Sequence, residues 1–204
     1  MICAGVILAG GQARRMGGGD KGRLPLGTGS LLQEVIARLS PQVDLLALNA
    51  NGDPARFADL DLPVIADSVV DFPGPLAGVL AGLDWAAAQG ADAIITAAAD
   101  TPFFPRDLAD TLRMAVADMP VPLAIACSRD NKGRLWRQPT FGLWPVALRE
   151  DLRAALSDGL RKVVLWTDRH NARYVEFDGA EVPFFNVNTP QDLAEAQKRA
   201  AGSA

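Results

Sequence analysis

Strand-length apolar runs alternate with helix-period segments along this chain, and no other feature constrains its fold more. Ile2–Ala9, Val43–Leu48, Pro63–Ala66, Ala93–Ala99 and Val121–Ala126 are apolar at nearly every position, as expected of strands buried on both faces. Between them lie segments with helical spacing: Leu31–Leu39 behind a Ser30 N-cap, the Ala/Leu-rich stretch Leu76–Ala88, and a segment from Pro105 to about Val116. The alternation predicts an α/β fold: a three-layer, open, mostly parallel (mixed) sheet with helices on both faces. Such sheets bind ligands where their strands end at the carboxyl side, so chemistry is expected just after each strand.

Past Ser128 the pattern loosens. Arg129–Arg134 reads as a polar turn, and Trp136–Trp144 mixes aromatics with a proline. Pro145–Leu156 and Leu160–Trp166 read as helices, Tyr174–Phe177 and Phe184–Val187 as strands. Pro190–Ala200 reads as a last helix, with Thr189 as N-cap and Asp192 close to a capping-box position. With 204 residues, 49% apolar and 22% charged, one domain is expected over 1–204. Its nucleotide-binding half would cover about 1–128 and its acceptor-substrate half about 129–204. The aromatics Trp136, Phe141 and Trp144 are expected in the core.

Composition excludes several classes. A net charge of −4 argues against a general nucleic-acid binder. The first apolar run ends at Gly10 without a basic region before it, so neither a signal peptide nor a membrane span is expected. Cys3 and Cys127 lie in apolar runs without metal spacing, which suits buried thiols in a reducing cytoplasm. The single histidine, His170, falls in a polar stretch and is expected at the surface, which removes histidine-based triads and metal sites.

The first run ends in Leu8-Ala9-Gly10-Gly11 and opens into a loop. From Gln12 to Arg23 this loop carries four cations (Arg14, Arg15, Lys21, Arg23) and one anion (Asp20), a local +3. Glycine lets backbone N–H groups approach an anion, and arginine and lysine neutralise it. These are the ingredients of a triphosphate cradle, although a solvated basic loop would look the same in composition. Gly17–Gly22 fits a G-x-G-x-x-G spacing but starts too late after the strand and runs on into Pro25, unlike a Rossmann fingerprint. Lys21 is followed by Gly22, so no P-loop is present. Asp100 ends another apolar run, where a carboxylate is a natural Mg²⁺ ligand beside phosphate oxygens, or a turn cap before Pro102. Asn186 and Asn188 flank Val187 and would share a strand face, reaching metal or substrate; turn and N-cap chemistry before Pro190 is the plainer role.

The order Leu8-Ala9-Gly10-Gly11-x-x-x-Arg15-Met16-Gly17-x-x-Asp20-Lys21 resembles the signature of the molybdenum cofactor guanylyltransferases, nucleotidyltransferases with a glycosyltransferase-A-like fold. The resemblance continues through Asn49-Ala50-Asn51, Asp67-Ser68, Gly74-Pro75-Leu76-Ala77-Gly78, Asp100-Thr101-Pro102 and Asn186-Val187-Asn188-Thr189-Pro190, nearly the whole chain. It implies GTP binding by Leu8, Ala9, Gly10, Gly11, Lys21, Asn49, Asp67, Gly78 and Asp100, with Mg²⁺ on Asp100 as cofactor. Arg15, Lys21 and Asp100 are the implied catalytic residues. It implies a Rossmann-like nucleotidyltransferase fold and transfer of GMP from GTP to the terminal phosphate of molybdopterin, with or without its molybdenum. The implied setting is a cytoplasmic monomer that meets molybdopterin-handling proteins and acceptor molybdoenzymes but neither nucleic acid nor membrane.

Gly10, where cytidylyl-transferring relatives tend to have alanine, points to GTP. Arg161 and Lys162, with Arg134 and Arg137, are candidates for molybdopterin. Gln138 stands where many members have histidine. A phosphate monoester has a second pKa of roughly 6, so it is already a nucleophile at neutral pH and needs no strong base. The alternatives are a cytidylyl- or sugar-phosphate nucleotidyltransferase of the same fold, and a non-catalytic nucleotide-sensing module.

Overall fold

The computed structural model describes residues 1–10, 20–69, 74–130, 132–178 and 183–202. Among them, seven strands form one sheet. In chain order they are β1 (Cys3–Leu8), β4 (Leu45–Asn49), β5 (Val64–Ile65), β6 (Ala93–Ala98), β7 (Ala124–Arg129), β8 (Leu135–Pro145) and β9 (Arg173–Glu176), arranged β5-β4-β1-β6-β8-β7-β9. A separate two-stranded ribbon pairs β2 (Pro25–Leu26) with β3 (Gly29–Ser30). Every strand of the large sheet runs parallel to its neighbour except β8, which is antiparallel to both β6 and β7.

The helices are α1 (Leu31–Leu39), α2 (Pro75–Ala88), α3 (Leu108–Ala115), α4 (Arg149–Ser157), α5 (Val163–Arg169) and α6 (Pro190–Gly202). They cover both faces, and the strand residues divide between them by the period-2 rule. Cys3 and Ile7 of β1, Ile95 of β6 and Leu143 of β8 pack with Leu32, Val35, Leu108 and Leu112 from α1 and α3. Ala4, Val6, Ile94, Ile125 and Trp144 face the other way, onto Val79, Leu83, Leu152 and Trp166 from α2, α4 and α5. A smaller cluster seats Ala196 of α6 on Leu26, Leu31 and Val187. No helix of the described residues is long and apolar enough to cross a membrane.

The predicted caps are present. The Gln33 N–H donates to Ser30 Oγ at 3.3 Å. The Thr189 N–H donates to Asp192 Oδ2 at 2.8 Å while the Asp192 N–H donates to Thr189 Oγ1 at 3.1 Å, closing the reciprocal box at the start of α6.

Several expectations change, among them the helix read from Pro105, which begins at Leu108. The mixed stretch Trp136–Trp144 lies within the longest strand of the sheet, β8, whose aromatic and proline content hid its periodicity. The run Val121–Ala126 begins its strand only at Ala124, because Pro120 and Pro122 cannot donate to a ladder. Phe184–Val187 is not a strand: Phe184 has φ +63°, which breaks an extended run. Of the three aromatics assigned to the core, Phe141 and Trp144 are buried, but Trp136 is exposed.

Candidate functional site

The parallel register places three strand ends side by side, since Leu8 of β1 pairs with Asn49 of β4 and with Ala98 of β6. The next residues extend the ladder: the Ala9 N–H donates to the Asn49 carbonyl at 2.9 Å, and the Ala99 N–H to the Leu8 carbonyl at 3.1 Å. Gly10 on one side and Asp100 on the other follow directly. A Cβ at Gly10 would meet no protein atom within 4 Å. Gly11 and Arg15 lie outside the described residues.

Lys21 sits in a 3₁₀ turn, Lys21–Arg23, tucked against α1 so closely that a Cβ on Gly22 would lie 3.1 Å from Leu32 Cβ. Its Nζ donates to Asp100 Oδ2 at 2.7 Å and to Asn188 Oδ1. The ion pair is largely withdrawn from water, with side-chain exposures of 11% for Lys21 and 22% for Asp100, so its electrostatics are screened less than those of a surface pair. Asp100 Oδ1 accepts from the buried Thr101 hydroxyl at 3.2 Å. The Asp100 carbonyl accepts the Val187 N–H at 2.9 Å, which brings the C-terminal segment across the end of β6. The Asn188 N–H then donates to Asp192 Oδ2 at 2.9 Å. Hydrogen bonding from that N–H, opposed by burial and aided by Thr189 and the Lys21 charge, holds the Asp192 carboxyl below its ordinary value. Asn186 is exposed and makes no side-chain hydrogen bond among the described residues.

A second cluster lies beyond β4. Asn49 Nδ2 donates to the Ile65 carbonyl at 3.2 Å and to Asp67 Oδ1 at 2.9 Å. Asn51 Nδ2 donates to Asp67 Oδ2 at 2.7 Å, and the Asp67 N–H returns a bond to Asn51 Oδ1 at 2.8 Å. Both Asn49 amide hydrogens are therefore used within the protein. Gly78 makes room for this: a Cβ there would stand 2.3 Å from Asn49 Oδ1 and 3.0 Å from Leu8 Cδ2. Its missing side chain thus admits Asn49 under the first turns of α2.

Two of the charges counted in the basic loop are committed elsewhere. Arg23 binds the Asp59 carboxylate and the Arg56 carbonyl, and its hydrogen bond holds the Asp59 carboxyl below its ordinary value. Asp20 pairs with Arg56 Nε at 3.1 Å. Both guanidiniums lie over the buried Phe57 ring, at 5.1 and 4.9 Å from its centroid. These contacts clamp the end of the loop to the 3₁₀ segment Pro54–Leu60. Sequence reasoning gave no role to Asn51 or Arg56; for Asn51 the signals were its place in the Asn49-Ala50-Asn51 motif and its spacing of two from Asn49, on the same face of an extended chain.

Arg161 and Lys162 line a cavity of about 370 Å³ with Leu160, Leu165 and Arg169. This α4–α5 turn abuts the start of α2, where a Cβ on Gly74 would lie 3.9 Å from the Arg161 carbonyl oxygen. Arg134 and Arg137 are not among its lining residues. Arg134 lies over Trp136 at 4.4 Å, and Arg137 over Tyr174 at 4.1 Å while pairing with Asp168 at 3.2 Å. His170 is half-buried rather than a plain surface residue: it bonds Asp151 at 2.7 Å and packs on Trp166.

Metal-ligating potential at the strand ends is modest. Asp100 and Asn188 offer one carboxylate and one amide oxygen, each already accepting from Lys21 Nζ so that a cation would share them with the ammonium or displace it, and no cluster of three His, Cys, Asp or Glu occurs among the described residues. That donor set suits a hard cation such as Mg²⁺, which takes one or two protein oxygens and completes its shell with phosphates and water.

Residues 5–172 match the family model described as the MobA-like NTP transferase domain. The chain belongs to the MobA-like NTP transferase family. It is 51% identical over 201 residues to the molybdenum cofactor guanylyltransferase of Mesorhizobium japonicum, covering 96% of this chain and 94% of that protein. It is 53% identical over 197 residues to the protein of the same name from Rhodopseudomonas palustris, covering 95% and 91%. Among solved structures, the molybdopterin-guanine dinucleotide biosynthesis protein A of Archaeoglobus fulgidus aligns with a TM-score of 0.73 at 22% identity, over 98% of this chain and 100% of that one. The CMP:2-keto-3-deoxy-manno-octonic acid synthetase solved with CTP aligns at 0.75 and 15% identity, over 100% of both chains. The sheet is thus the Rossmann-like nucleotidyltransferase fold, and this family member is a nucleotidyltransferase.

Proposed function

We propose that this chain transfers GMP from GTP to the terminal phosphate of molybdopterin, giving molybdopterin guanine dinucleotide and pyrophosphate. The observation that carries the reading is the meeting of Lys21, Asp100 and Asn188 at the ends of β1 and β6, in a family member half identical to proteins named for this activity. The Leu8–Gly11 backbone receives the nucleotide, Asp67 reads the guanine edge, and Arg15 and Lys21 take the triphosphate. Asn49 and Gly78 support Asp67 from beneath. Asp100, with Asn188, would hold Mg²⁺, and the ion would supply neutralisation of the negative charge that accumulates as two anions meet. Arg161 and Lys162 take the acceptor's anionic end, and Asn186 contacts acceptor or metal. On this reading residues up to about 128 serve the nucleotide and the remainder serves the acceptor. The enzyme works as a cytoplasmic monomer, receiving molybdopterin from handling proteins and passing its product to molybdoenzymes.

The acceptor monoester is mostly dianionic at neutral pH, its second pKa being roughly 6. It attacks the α-phosphorus in line, the bond to the bridging oxygen breaks, and pyrophosphate leaves. No side chain has to remove a proton. What the protein supplies is alignment and fixed positive charge, the usual substance of phosphoryl-type transfer.

The same fold also serves a protein solved with CTP, so the nucleotide has to be tested directly. Purified protein is given molybdopterin, Mg²⁺ and each of GTP, CTP, ATP and UTP, and pyrophosphate and dinucleotide are measured. GTP-selective formation of the dinucleotide is expected. Equal or better use of CTP, or GTP binding without pyrophosphate release, overturns the proposal.

A further inference from the structure

Asp67 is presented to the site with unusual definition. Each of its carboxylate oxygens accepts one amide hydrogen, Oδ1 from Asn49 at 2.9 Å and Oδ2 from Asn51 at 2.7 Å. Its own N–H is taken by Asn51 Oδ1 at 2.8 Å. A carboxylate has about four lone-pair positions. Two are filled by the amides, which leaves one per oxygen for a ligand. A fork of two acceptors matches two adjacent N–H donors. Among the common bases only guanine has them on its Watson–Crick edge, at N1 and N2. Cytosine and adenine place a ring-nitrogen lone pair beside their amino group, which a carboxylate repels, and uracil offers one donor between two carbonyls.

We propose that Asn51 is the positioning residue for base recognition, fixing the plane of the Asp67 carboxylate so that its two oxygens meet the N1–H and N2–H of a guanine. The inference rests on the nucleotide reading above and extends it to a residue with no assigned role. Asn49 cannot do this alone. It holds a single oxygen, and a carboxylate held at one end still rotates. Asn51 holds the other oxygen and the Asp67 backbone together. Arg56 in turn anchors Asn51: its guanidinium donates to the Asn51 carbonyl at 2.5 Å and pairs with Asp20, the neighbour of Lys21. Base reader and the Asp20–Lys21 end of the basic loop are thereby held in one frame.

Inosine triphosphate, which lacks only the N2 amino group, isolates the effect. A hydrogen bond to a charged group corresponds to about 10- to 100-fold in binding. Wild type should therefore prefer GTP over ITP by at least about tenfold in kcat/KM, and in affinity by titration calorimetry. N51A should bring that ratio to within about threefold, with the loss carried by KM for GTP more than by kcat. N51D, which sets a second carboxylate against Asp67, should weaken GTP further. D67N is the control for the base contact. A merely structural role for Asn51 would lower GTP and ITP together and leave their ratio unchanged, and that result overturns the proposal. If D67N collapses the ratio while N51A keeps it, the base contact stands and the role of Asn51 is refuted. If D67N also keeps the ratio, the carboxylate does not read N2 and both fail.

Discussion

At the ends of β1, β4 and β6, polar side chains are held by one another; at the α4–α5 turn, cations line an open cavity with aliphatic walls. The first region gathers Lys21, Asp100 and Asn188 in one cluster and Asn49, Asn51 and Asp67 in another, every one with a fixed partner. The second gathers Arg161, Lys162 and Arg169 beside Leu160, Leu165 and one carboxylate, Asp158, with Arg161 donating to the Leu156 and Leu160 carbonyls. The difference matches the tasks proposed for them. Charge-stabilising groups act at full strength only when already oriented and shielded. An acceptor that arrives as a whole molecule needs a basic, roomy wall. Errors of placement should therefore be costly in the first region and graded in the second.

The largest expected effects test the first half of that contrast. Removing Lys21 or Asp100 (K21A, D100A) should lower kcat by about 10²–10³, read as pyrophosphate release at saturating GTP and acceptor. Turnover within a few-fold of wild type would mean that the cluster does not carry the chemistry. G78A comes next. Its new methyl would stand 2.3 Å from Asn49 Oδ1, an overpacking that typically costs about 1–3 kcal/mol. It should lower the melting temperature and raise KM for GTP, whereas an unchanged KM would separate Gly78 from the nucleotide site.

The second region should respond differently. R161A and K162A should each raise KM for molybdopterin by about tenfold and leave KM for GTP alone, in line with about 1.5 kcal/mol for one charge-assisted contact. A change in KM for GTP instead would erase the division between the two regions.

A smaller effect falls on the support of Asn188. The Asp192 carboxyl is held below its ordinary value by the Asn188 N–H. A depressed carboxylate stabilises the fold above the unfolded-state value, and that contribution is lost as pH falls through the folded-state value. D192N should be less stable than wild type by about 1 kcal/mol at pH 7, since a neutral amide accepts the Asn188 and Thr189 N–H groups less strongly than a carboxylate. Thermal melts should converge as pH drops from about 5 to below 3; parallel melting curves across that range would contradict the capping role. The smallest effect belongs to G10A. The added methyl meets no protein atom within 4 Å, so any shift between GTP and CTP must come from the ligand itself. It should be a few-fold in kcat/KM, with stability unchanged.

The elements that were legible in the sequence are those whose pattern is local. β1 and β6 are buried on both faces and read as continuous apolar runs, and β4 is buried at its carboxyl end, Ala47–Asn49, so the sheet and its binding edge followed from them. Ser30 and Thr189 announced their helices because capping is settled within three residues. β8 hid itself: half of it, Leu135 to Thr140, stays at least partly exposed, and burial that changes along one strand leaves no period to read. Arg23 and Lys21 look equivalent in a basic loop, yet one binds Asp59 and the other Asp100. Composition counts charges without saying where they point.

By itself the sequence determined the α/β class, the strand ends where polar residues collect, and which residues could take part. Only the tertiary structure decided which of them meet. Lys21 reaches Asp100 across 79 residues and Asn188 across 167, and Asn51 reaches Asp67 across a crossover of 16. Those distances depend on sheet register and on how each crossover returns to the sheet. Both are fixed by the packing of the whole core, which no short window of sequence contains.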